Sequence, residues 1–149
     1  MPQIYDMLQK DHETVRTALD RLIASGNGAK KTREDLFDKV KTELEIHTKF
    51  EEEVFYPTFR ADKKDKEAKE EVKDALGEHK DAKQMLAKLE KMDKTSDEFI
   101  EMVKELKASL EHHIHDEEDE MFPQAREAVS DEESEEMAKK YADMKKKAH

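Results

Sequence analysis

The chain contains no cysteine, and only three glycines and three prolines occur among its 149 residues. The absence of cysteine excludes disulfide bonds, thiolate catalysis and iron–sulfur ligation, so any bound metal must be held by nitrogen and oxygen atoms. The scarcity of glycine and proline, together with 45% charged residues, favours long amphipathic helices over strands. An all-α fold is therefore expected.

Features of membrane-spanning and nucleic-acid-binding proteins are also missing. No stretch approaches the ~20 apolar residues that a spanning helix requires, and the N-terminus shows no apolar signal segment. The formal net charge of −11 disfavours nucleic acids and anionic lipids as partners. We therefore expect a cytoplasmic protein that binds neither nucleic acid nor membrane. Because one core of this size uses up the apolar stripes, we also expect a monomer.

A short set of residues occurs twice in the same order, and most of its members are potential metal ligands. The set returns after 66 residues, and the paired members are His47 and His113, Glu51 and Glu117, Glu52 and Glu118, Phe55 and Met121, and Pro57 and Pro123. An acidic residue followed by a histidine precedes each set, at Asp11–His12 and at Glu78–His79. A repeat of ligand types, rather than of core residues alone, indicates a functional site.

Apolar residues at helical spacing predict four long helices and a tail. The first helix covers residues 3–24, and the turn residues at 25–28 end it. Thr32 and Asp35 predict the cap of the second helix, which Pro57 is expected to bend or end.

Charge runs and capping boxes mark the remaining helices. The third helix is expected to start in the charged run at 62–71, which is typical of a solvated surface. Thr95 with Glu98 predicts a capping box for the fourth helix, and Ser130 with Glu133 predicts one for a short, charged C-terminal helix. We assign no chemistry to that last helix.

Six titratable residues fall at positions where the helical spacing predicts apolar ones. They are His12, His47, Glu51, His79, His113 and Glu117. His12, for example, fills the gap between Leu8 and Val15 on the inward stripe of the first helix. A single buried histidine with a hydrogen bond is common, but each unpaired buried ion loses several kcal/mol of hydration. The six together therefore predict a metal site inside the bundle.

The spacing and chemistry of these residues predict a pair of ions. His47 with Glu51, and His113 with Glu117, are four residues apart, so each pair lies on one helix face within reach of a common ion. Two carboxylates among four imidazoles suit two ions that both carboxylates bridge. Ligands of this kind suit iron, manganese or zinc.

The double motif resembles the hemerythrin-like (HHE cation-binding) domains, and the resemblance covers residues 3–128. It implies an up-down-up-down four-helix bundle at residues 1–128 with a non-haem di-iron centre, followed by a charged helix or tail at 129–149. The implied ligands are His12 and His47 for one iron, His79 and His113 for the other, and Glu51 and Glu117 as bridges beside an oxo or hydroxo group.

The sequence departs from the oxygen-carrying hemerythrins at two positions. Lys83 stands where those proteins have a fifth histidine, four residues after the ligand that corresponds to His79. Glu117 stands one position earlier than their acidic ligand, and its neighbours Asp116 and Glu118 are alternative bridges. Both differences argue against reversible oxygen carriage.

Several residues near the motif have more than one interpretation. Glu52 and Glu118 either orient the ligand imidazoles from behind or are exposed helix charges. Tyr56 is interpreted as a packing residue, with a redox or hydrogen-bonding role at the site as the alternative. His112 and His115 lie off the inward stripe, so we expect them to face sideways or outward.

An ion with an open coordination position can bind and polarise a small molecule. The sequence therefore favours a di-iron protein that binds or reacts with dioxygen, peroxide or nitric oxide, with peroxide decomposition as one activity and a reductase as a further partner. One alternative is iron or oxygen sensing, storage or carriage without turnover, in which metal occupancy changes the stability of the bundle. Another is a structural bundle that binds zinc. We assign no catalytic residue.

Overall fold

Helices account for almost all of the chain. The computed structural model describes residues 3–26 and 28–148, and within these ranges it contains helices, turns and bends but no strand. The helices are α1 (Ile4–Ala24), α2 (Lys30–Phe50), α3 (Tyr56–Lys63), α4 (Lys66–Lys91), α5 (Asp97–Asp116), α6 (Phe122–Ala128) and α7 (Asp131–Ala148), with π-helical turns at Glu51–Phe55 and Glu117–Met121. Among the described helices, none combines the length and apolarity that crossing a bilayer demands.

Four helical rods form an up-down-up-down bundle. The rods are α1, α2 continued by α3, α4, and α5 continued by α6. Short connections at 25–29, 64–65 and 92–96 make consecutive rods antiparallel. α1 packs against α2 and α5, and α4 packs against α5 and α3. The predicted all-α bundle with an additional C-terminal helix is confirmed.

The core consists of two apolar clusters with a polar layer between them. One cluster includes Leu8, Phe50, Phe55, Ala75 and Met121. The other includes Val15, Leu44, Ala82, Leu110 and Ile114. Each rod contributes residues to both clusters about one helical turn on either side of the polar layer, so apolar side chains shield this layer at both ends.

Both rods that carry the repeated set contain a π-helical turn. Glu51 opens the first turn and Glu117 opens the second. The second residue after each turn is a proline, at Pro57 and Pro123. Proline has no N–H to donate, and its ring clashes with the carbonyl four residues earlier, so a wider turn before it relieves the strain. Pro57 therefore does not end the second rod, which continues to Lys63.

The start of α2 differs from its predicted cap. The helix begins at Lys30 after Ala29, which provides no side-chain cap, so the cap predicted at Thr32 and Asp35 is wrong. Arg33 stabilises this end of the bundle instead. Its buried guanidinium donates to the hydroxyl and carbonyl oxygens of Ser25 at 2.9 and 3.1 Å, and to the carbonyl oxygen of Lys94 at 2.6 Å. Asn27 of the expected turn lies outside the described residues.

The two later capping predictions have different outcomes. The N-cap of α5 is Ser96, which accepts a hydrogen bond from the Phe99 N–H at 3.1 Å, so the prediction of Thr95 with Glu98 is wrong by one residue. The capping box of Ser130 with Glu133 is confirmed, because the Glu133 N–H donates to the Ser130 hydroxyl at 3.1 Å.

α7 packs on the outside of α1 and α2. Met137, Ala138 and Tyr141 are buried in the same apolar cluster as Phe50. The ring of Tyr141 stacks on that of Phe50 with centroids 4.3 Å apart. At 18 residues α7 is longer than the short helix predicted. The division into domains at residues 1–128 and 129–149 stays a prediction.

Candidate metal centre

All six predicted ligands lie in the polar layer of the bundle. None is more than 6% exposed. The six are His12 from α1, His47 from α2, Glu51 from the first π turn, His79 from α4, His113 from α5 and Glu117 from the second π turn. Each rod therefore contributes at least one of them, as the inward spacing predicted. Their binding of metal stays a prediction, which the geometry of the layer supports as follows.

The resemblance implies two histidine pairs, His12 with His47 and His79 with His113. Each of the two glutamates lies between one histidine of the first pair and one of the second. The Oε1 atom of Glu51 is 3.2 Å from Nε2 of His47 and 3.1 Å from Nε2 of His79. The two carboxylate oxygens of Glu117 are 3.3 Å from Nε2 of His12 and 3.0 Å from Nε2 of His113. Each carboxylate thus touches one histidine of each pair, which is the arrangement that a bridging ligand requires.

Ligand-type atoms gather at two neighbouring points. One group contains His12, His47 and Glu117, and the other contains Glu51, His79, His113 and Glu117. The atoms within each group lie within 4.8 Å of one another. The ring centroids are 5.0 Å apart for His12 and His47, and 4.9 Å apart for His79 and His113. These are the two pairs that the family resemblance assigns to separate ions.

A carboxylate lies behind each of the four histidines and orients its ring. The Nδ1 atoms lie 2.6 to 2.9 Å from these carboxylates, and the pairs are His12 with Glu118, His47 with Asp11, His79 with Glu52, and His113 with Glu78. An Nδ1–H that donates to a carboxylate leaves the Nε2 lone pair facing the interior, where it can bind a metal. The orienting role considered for Glu52 and Glu118 therefore matches the structure better than that of exposed helix charges.

Several interior polar atoms lie close to the groups described above but form no hydrogen bond of adequate geometry among the described residues. They are Nε2 of His12, His47 and His113, Oε2 of Glu51 and Oε1 of Glu117. Leaving one buried polar group without a hydrogen bond costs about 1–3 kcal/mol. Five such atoms converging on one layer fit a site whose ions complete the bonding, and the nitrogen and oxygen donors suit iron, manganese or zinc.

The histidines and glutamates of the layer shift one another's ionisation. Burial lowers the pKa of His47, but the charge of Glu51 and the hydrogen bond to Asp11 outweigh it and raise the pKa to about 10. Burial also lowers the pKa of His113, and the charge of Glu117 overcomes this and holds that pKa well above its ordinary value. Bound metal ions would supply the positive charge that protonated imidazoles otherwise provide, so loading releases protons.

Tyr56 reaches into the layer, so its interpretation as a packing residue alone is wrong. Its buried hydroxyl donates to Glu117 Oε2 at 2.5 Å, and it lies 3.2 Å from both Glu51 Oε1 and His79 Nε2. Burial and the charges of the two glutamates raise the pKa of Tyr56 well above its ordinary value, so the hydroxyl stays protonated. The equivalent position in the repeat is Phe122, which has no hydroxyl.

α7 contributes a contact that the sequence did not predict. Tyr141 and Lys145 both donate to the carboxylate of Asp11, which in turn orients His47. Burial raises the pKa of Asp11, but His47, Lys145 and Tyr141 together bring it below its ordinary value. The only sequence signal was the four-residue spacing of the apolar residues Met137 and Tyr141, which indicates a buried face but not its target.

The remaining candidate residues lie outside the polar layer. Lys83 binds the carboxylate of Glu52, with 3.1 Å between Nζ and Oε2, so its amine is directed to the residue that orients His79. Asp116 is paired with His112 at the surface, and Glu118 lies behind a histidine. Neither neighbour of Glu117 therefore occupies a bridging position.

An apolar cavity adjoins the four histidines. Its volume is about 40 Å³, and most of its exposed surface is apolar and belongs to side chains such as Val15, Leu44 and Leu110. Its lining also includes charged residues beside the histidines, namely Asp11, Glu45, Glu78 and Lys83. A water molecule requires roughly 10–15 Å³ of such volume. The cavity therefore has room for molecules of two or three heavy atoms.

The chain matches one protein-family model and several known proteins. The family model for the hemerythrin HHE cation-binding domain matches residues 3–125. An uncharacterized hemerythrin-like protein of Schizosaccharomyces pombe is 32% identical over 146 residues, which cover 98% of this chain and 70% of that protein. A DNA nickase of Nostoc is 27% identical over 97% of this chain, but the match covers only 39% of the nickase.

A solved structure has the same fold. The crystal structure of a hemerythrin HHE cation-binding domain-containing protein from Mycobacterium kansasii superposes with a TM-score of 0.83 and 25% sequence identity. The match covers 99% of this chain and 88% of that one. Together with the family match over residues 3–125, this likeness extends the sequence resemblance to the three-dimensional fold. The chain belongs to the hemerythrin HHE cation-binding domain family.

Proposed function

We propose that this protein holds two iron ions in the polar layer and that the pair reacts with dioxygen, peroxide or nitric oxide. The observation that carries the proposal is the convergence of unpaired imidazole and carboxylate atoms beside a small apolar cavity. The proposed ligands are the two histidine pairs, and Glu51 and Glu117 are the proposed bridges.

The ligand set would leave open coordination positions on iron but not on zinc. If Glu51 and Glu117 both bridge, two imidazoles and one oxygen from each glutamate would give each ion four protein ligands; in the metal-free geometry Glu51 is grouped only with His79, His113 and Glu117. Four ligands complete the tetrahedral coordination that structural zinc prefers. Iron commonly takes five or six ligands, so the same set leaves positions open for a small molecule. Iron bound in this layer would supply electrons and an open coordination position.

The cavity limits which molecules can reach the layer. Its apolar walls favour small uncharged molecules over anions, because a buried ion without a partner loses several kcal/mol of hydration. Dioxygen, nitric oxide and hydrogen peroxide each have two heavy atoms and fit a cavity of about 40 Å³. Leu44 of α2 and Leu110 of α5 line this chamber beside the histidines.

Tyr56 is placed to hold a proton beside the second histidine pair. In the metal-free protein its hydroxyl donates to Glu117 and lies 3.2 Å from His79 Nε2. The same hydroxyl can donate to an oxygen that gains negative charge during reduction of peroxide or dioxygen, a role that general acids play in many enzymes.

The proposed di-iron site is tested first by metal content. Protein purified without chelators from iron-supplemented cells should contain close to two irons per chain by mass spectrometry. Replacing Glu117→Gln should lower that number, because Glu117 belongs to both ligand groups. The matched control is Glu53→Gln, which lies exposed in the first π turn and should keep both irons. Equal iron content in the two variants would overturn the ligand assignment.

Reactivity is tested on the loaded protein. Hydrogen peroxide should be consumed catalytically, or nitric oxide should change the absorption of the reduced protein, at rates that depend on iron content. Diferrous protein that binds dioxygen and releases it unchanged under vacuum would instead show a carrier. A chain that binds only zinc, even after iron loading, would be a structural bundle.

One contact favours a sensing function as the second candidate. Asp11 connects the ligand His47 to Tyr141 and Lys145 of α7, so metal occupancy and the docking of α7 are physically linked. In a sensor, metal loading would change the stability of the protein or the exposure of α7. A large iron-dependent rise in melting temperature, with no turnover of peroxide, would favour sensing over catalysis.

A further inference from the structure

The two halves of the repeat have the same ligands but different surroundings. On the side covered by α7, the positions around Asp11 are apolar and pack in the core cluster: Ile4, Met7, Ile46, Phe50 and Val54. The equivalent positions around Glu78, 66 or 67 residues later, are all polar: Glu71, Asp74, His112, Asp116 and Glu120. The second half thus has a polar, open flank where the first half has an apolar, covered one.

This polar flank surrounds a cleft that leads to the buried ligands. The cleft has a volume of about 70 Å³, and two proposed ligands, His113 and Glu117, line it. Five further carboxylates line it, those of Glu71, Asp74, Glu78, Asp116 and Glu120, and within the described chain no lysine or arginine is among its lining residues. Negative charge concentrated in a cleft raises the local concentration of cations.

A surface cluster at the edge of this cleft has the geometry of a cation site. Nε2 of His112 lies 3.5 Å from Glu78 Oε2 and 3.3 Å from Asp116 Oδ2. These three ligand atoms lie within 4.8 Å of one another, and the imidazole is 70% exposed. An imidazole with two carboxylates suits divalent iron, manganese or zinc.

Glu78 connects this surface cluster to the buried layer. One oxygen of its carboxylate accepts from Nδ1 of His113 at 2.9 Å, while the other oxygen faces His112. On the inner side, Nε2 of His113 and Oε1 of Glu117 have no hydrogen-bond partner among the described residues. A cation held at the surface is therefore one side chain away from buried atoms that lack a partner.

We propose that Glu78, His112 and Asp116 form a docking site for ferrous iron, and that the acidic cleft conducts the ion to His113 and Glu117. This inference rests on the proposed metal site and adds the route by which it is loaded. The other cavity shares Glu78 and His113 with the cleft, but its exposed surface is mainly apolar and is therefore less suited to a hydrated cation. Cations use the acidic cleft, and neutral small molecules use the apolar cavity.

The test compares two double variants of the full chain. His112→Asn with Asp116→Asn removes two of the three docking ligands. The control is His115→Asn with Asp119→Asn, which removes the same residue types at the same spacing from the neighbouring face. His115 is also 70% exposed and pairs with Asp119 at 2.6 Å, but neither residue lines the cleft. Metal-free protein is mixed with Co²⁺ in a stopped-flow instrument, and visible absorption follows coordination.

The docking variant should take up Co²⁺ about tenfold more slowly than the unaltered protein at low salt, as expected when electrostatic guidance is removed. Its final amount of bound Co²⁺ and its final spectrum should be unchanged, and the control should keep the original rate. Added salt should slow the unaltered protein more than the docking variant. Equal rates for the two double variants would overturn the docking site alone. Absence of Co²⁺ and iron binding by the unaltered protein would overturn the metal site as well.

Discussion

The contact between α7 and Asp11 gives a prediction about a residue that touches none of the proposed ligands. Replacing Tyr141→Phe removes one hydroxyl and leaves the ring stacked on Phe50. The hydroxyl donates to Asp11, which also accepts from Lys145 and from His47. The substitution therefore weakens the support of one ligand imidazole without opening a large cavity.

The expected magnitude follows from the charge and burial of Asp11. A hydrogen bond to a charged group contributes about 1.5–3 kcal/mol to stability, and the Asp11 carboxylate is buried. Lys145 remains as a donor, so a loss of about 2 kcal/mol is expected for the metal-free protein. In a chain of this size that loss lowers the melting temperature by about 4–8 °C. Removing the carboxylate that orients a ligand histidine typically weakens metal affinity by about 10–100-fold. Tyr141 only supports that carboxylate, so its loss should weaken affinity by about tenfold at most.

Two assays separate the structural effect from the effect on the site. Urea unfolding of the metal-free protein measures the loss of stability, and competition with a chelator measures metal affinity. Tyr5→Phe is the matched control, because Tyr5 is a buried tyrosine of the same apolar cluster that packs against Phe55 and Phe122. It should leave the metal affinity unchanged. If Tyr141→Phe destabilises the fold but binds metal as tightly as the unaltered protein, then the contact of α7 with Asp11 has no effect on metal binding by His47.

Three further predictions concern the fold, the ionisation of the site and Tyr56. Arg33→Leu should lower the free energy of unfolding by about 2 kcal/mol in urea titrations, because it leaves partly buried carbonyl oxygens of two loops without donors. The raised pKa values of His47 and His113 stabilise the metal-free protein fully below about pH 6.5, the unfolded value. For His47 this stability is lost as pH rises through its pKa of about 10, and the contribution of His113 is lost in the same direction. The urea midpoint of metal-free protein should therefore fall between pH 7 and 10, whereas that of loaded protein, whose imidazoles have already released their protons, should not. Tyr56→Phe should keep two irons per chain, because Phe122 fills the equivalent position, but it should slow peroxide turnover by about 100-fold if the hydroxyl is the proton donor. An unchanged rate would assign Tyr56 to packing and hydrogen bonding alone.

The inward positions of the ligands were predictable because they follow from helical spacing alone. His12 lies one turn from Leu8 and from Val15, and both neighbours are in the apolar core. Any helix that buries those two residues also turns His12 inward. The same reasoning placed His47, His79 and His113 correctly, and the repeat indicated that their side chains lie at the same depth in the bundle.

The role of Tyr56 could not be predicted from regular helical spacing. In an α-helix, residues five apart point about 140° away from each other, so Tyr56 should face away from Glu51. The π turn changes this, because the Tyr56 N–H bonds to the Glu51 carbonyl and brings both side chains to one face. The spacing rule fails at the residue where the helix widens.

The missed contacts of Arg33 and α7 have a different cause. The start of α2 depends on a guanidinium that reaches the loop at Lys94, 61 residues away in sequence. The contacts of Tyr141 and Lys145 with Asp11 span 130 and 134 residues. Capping rules and apolar spacing describe local preferences, and they contain no information about which distant loop or helix a side chain will meet.

The divergence of the two halves predicts different roles for Asp11 and Glu78, although the repeat makes them equivalent. Each accepts from Nδ1 of one ligand histidine at 2.9 Å, so Asp11→Asn and Glu78→Gln should both weaken metal affinity. Only Glu78 also lines the acidic cleft, whereas Asp11 is covered by α7. Glu78→Gln should therefore slow metal uptake in addition to weakening affinity, and Asp11→Asn should leave the uptake rate nearly unchanged. If both variants slow uptake equally, the rate of loading depends on how firmly the ligand histidines are held in place rather than on the charge of the cleft. The two flanks then do not differ in function.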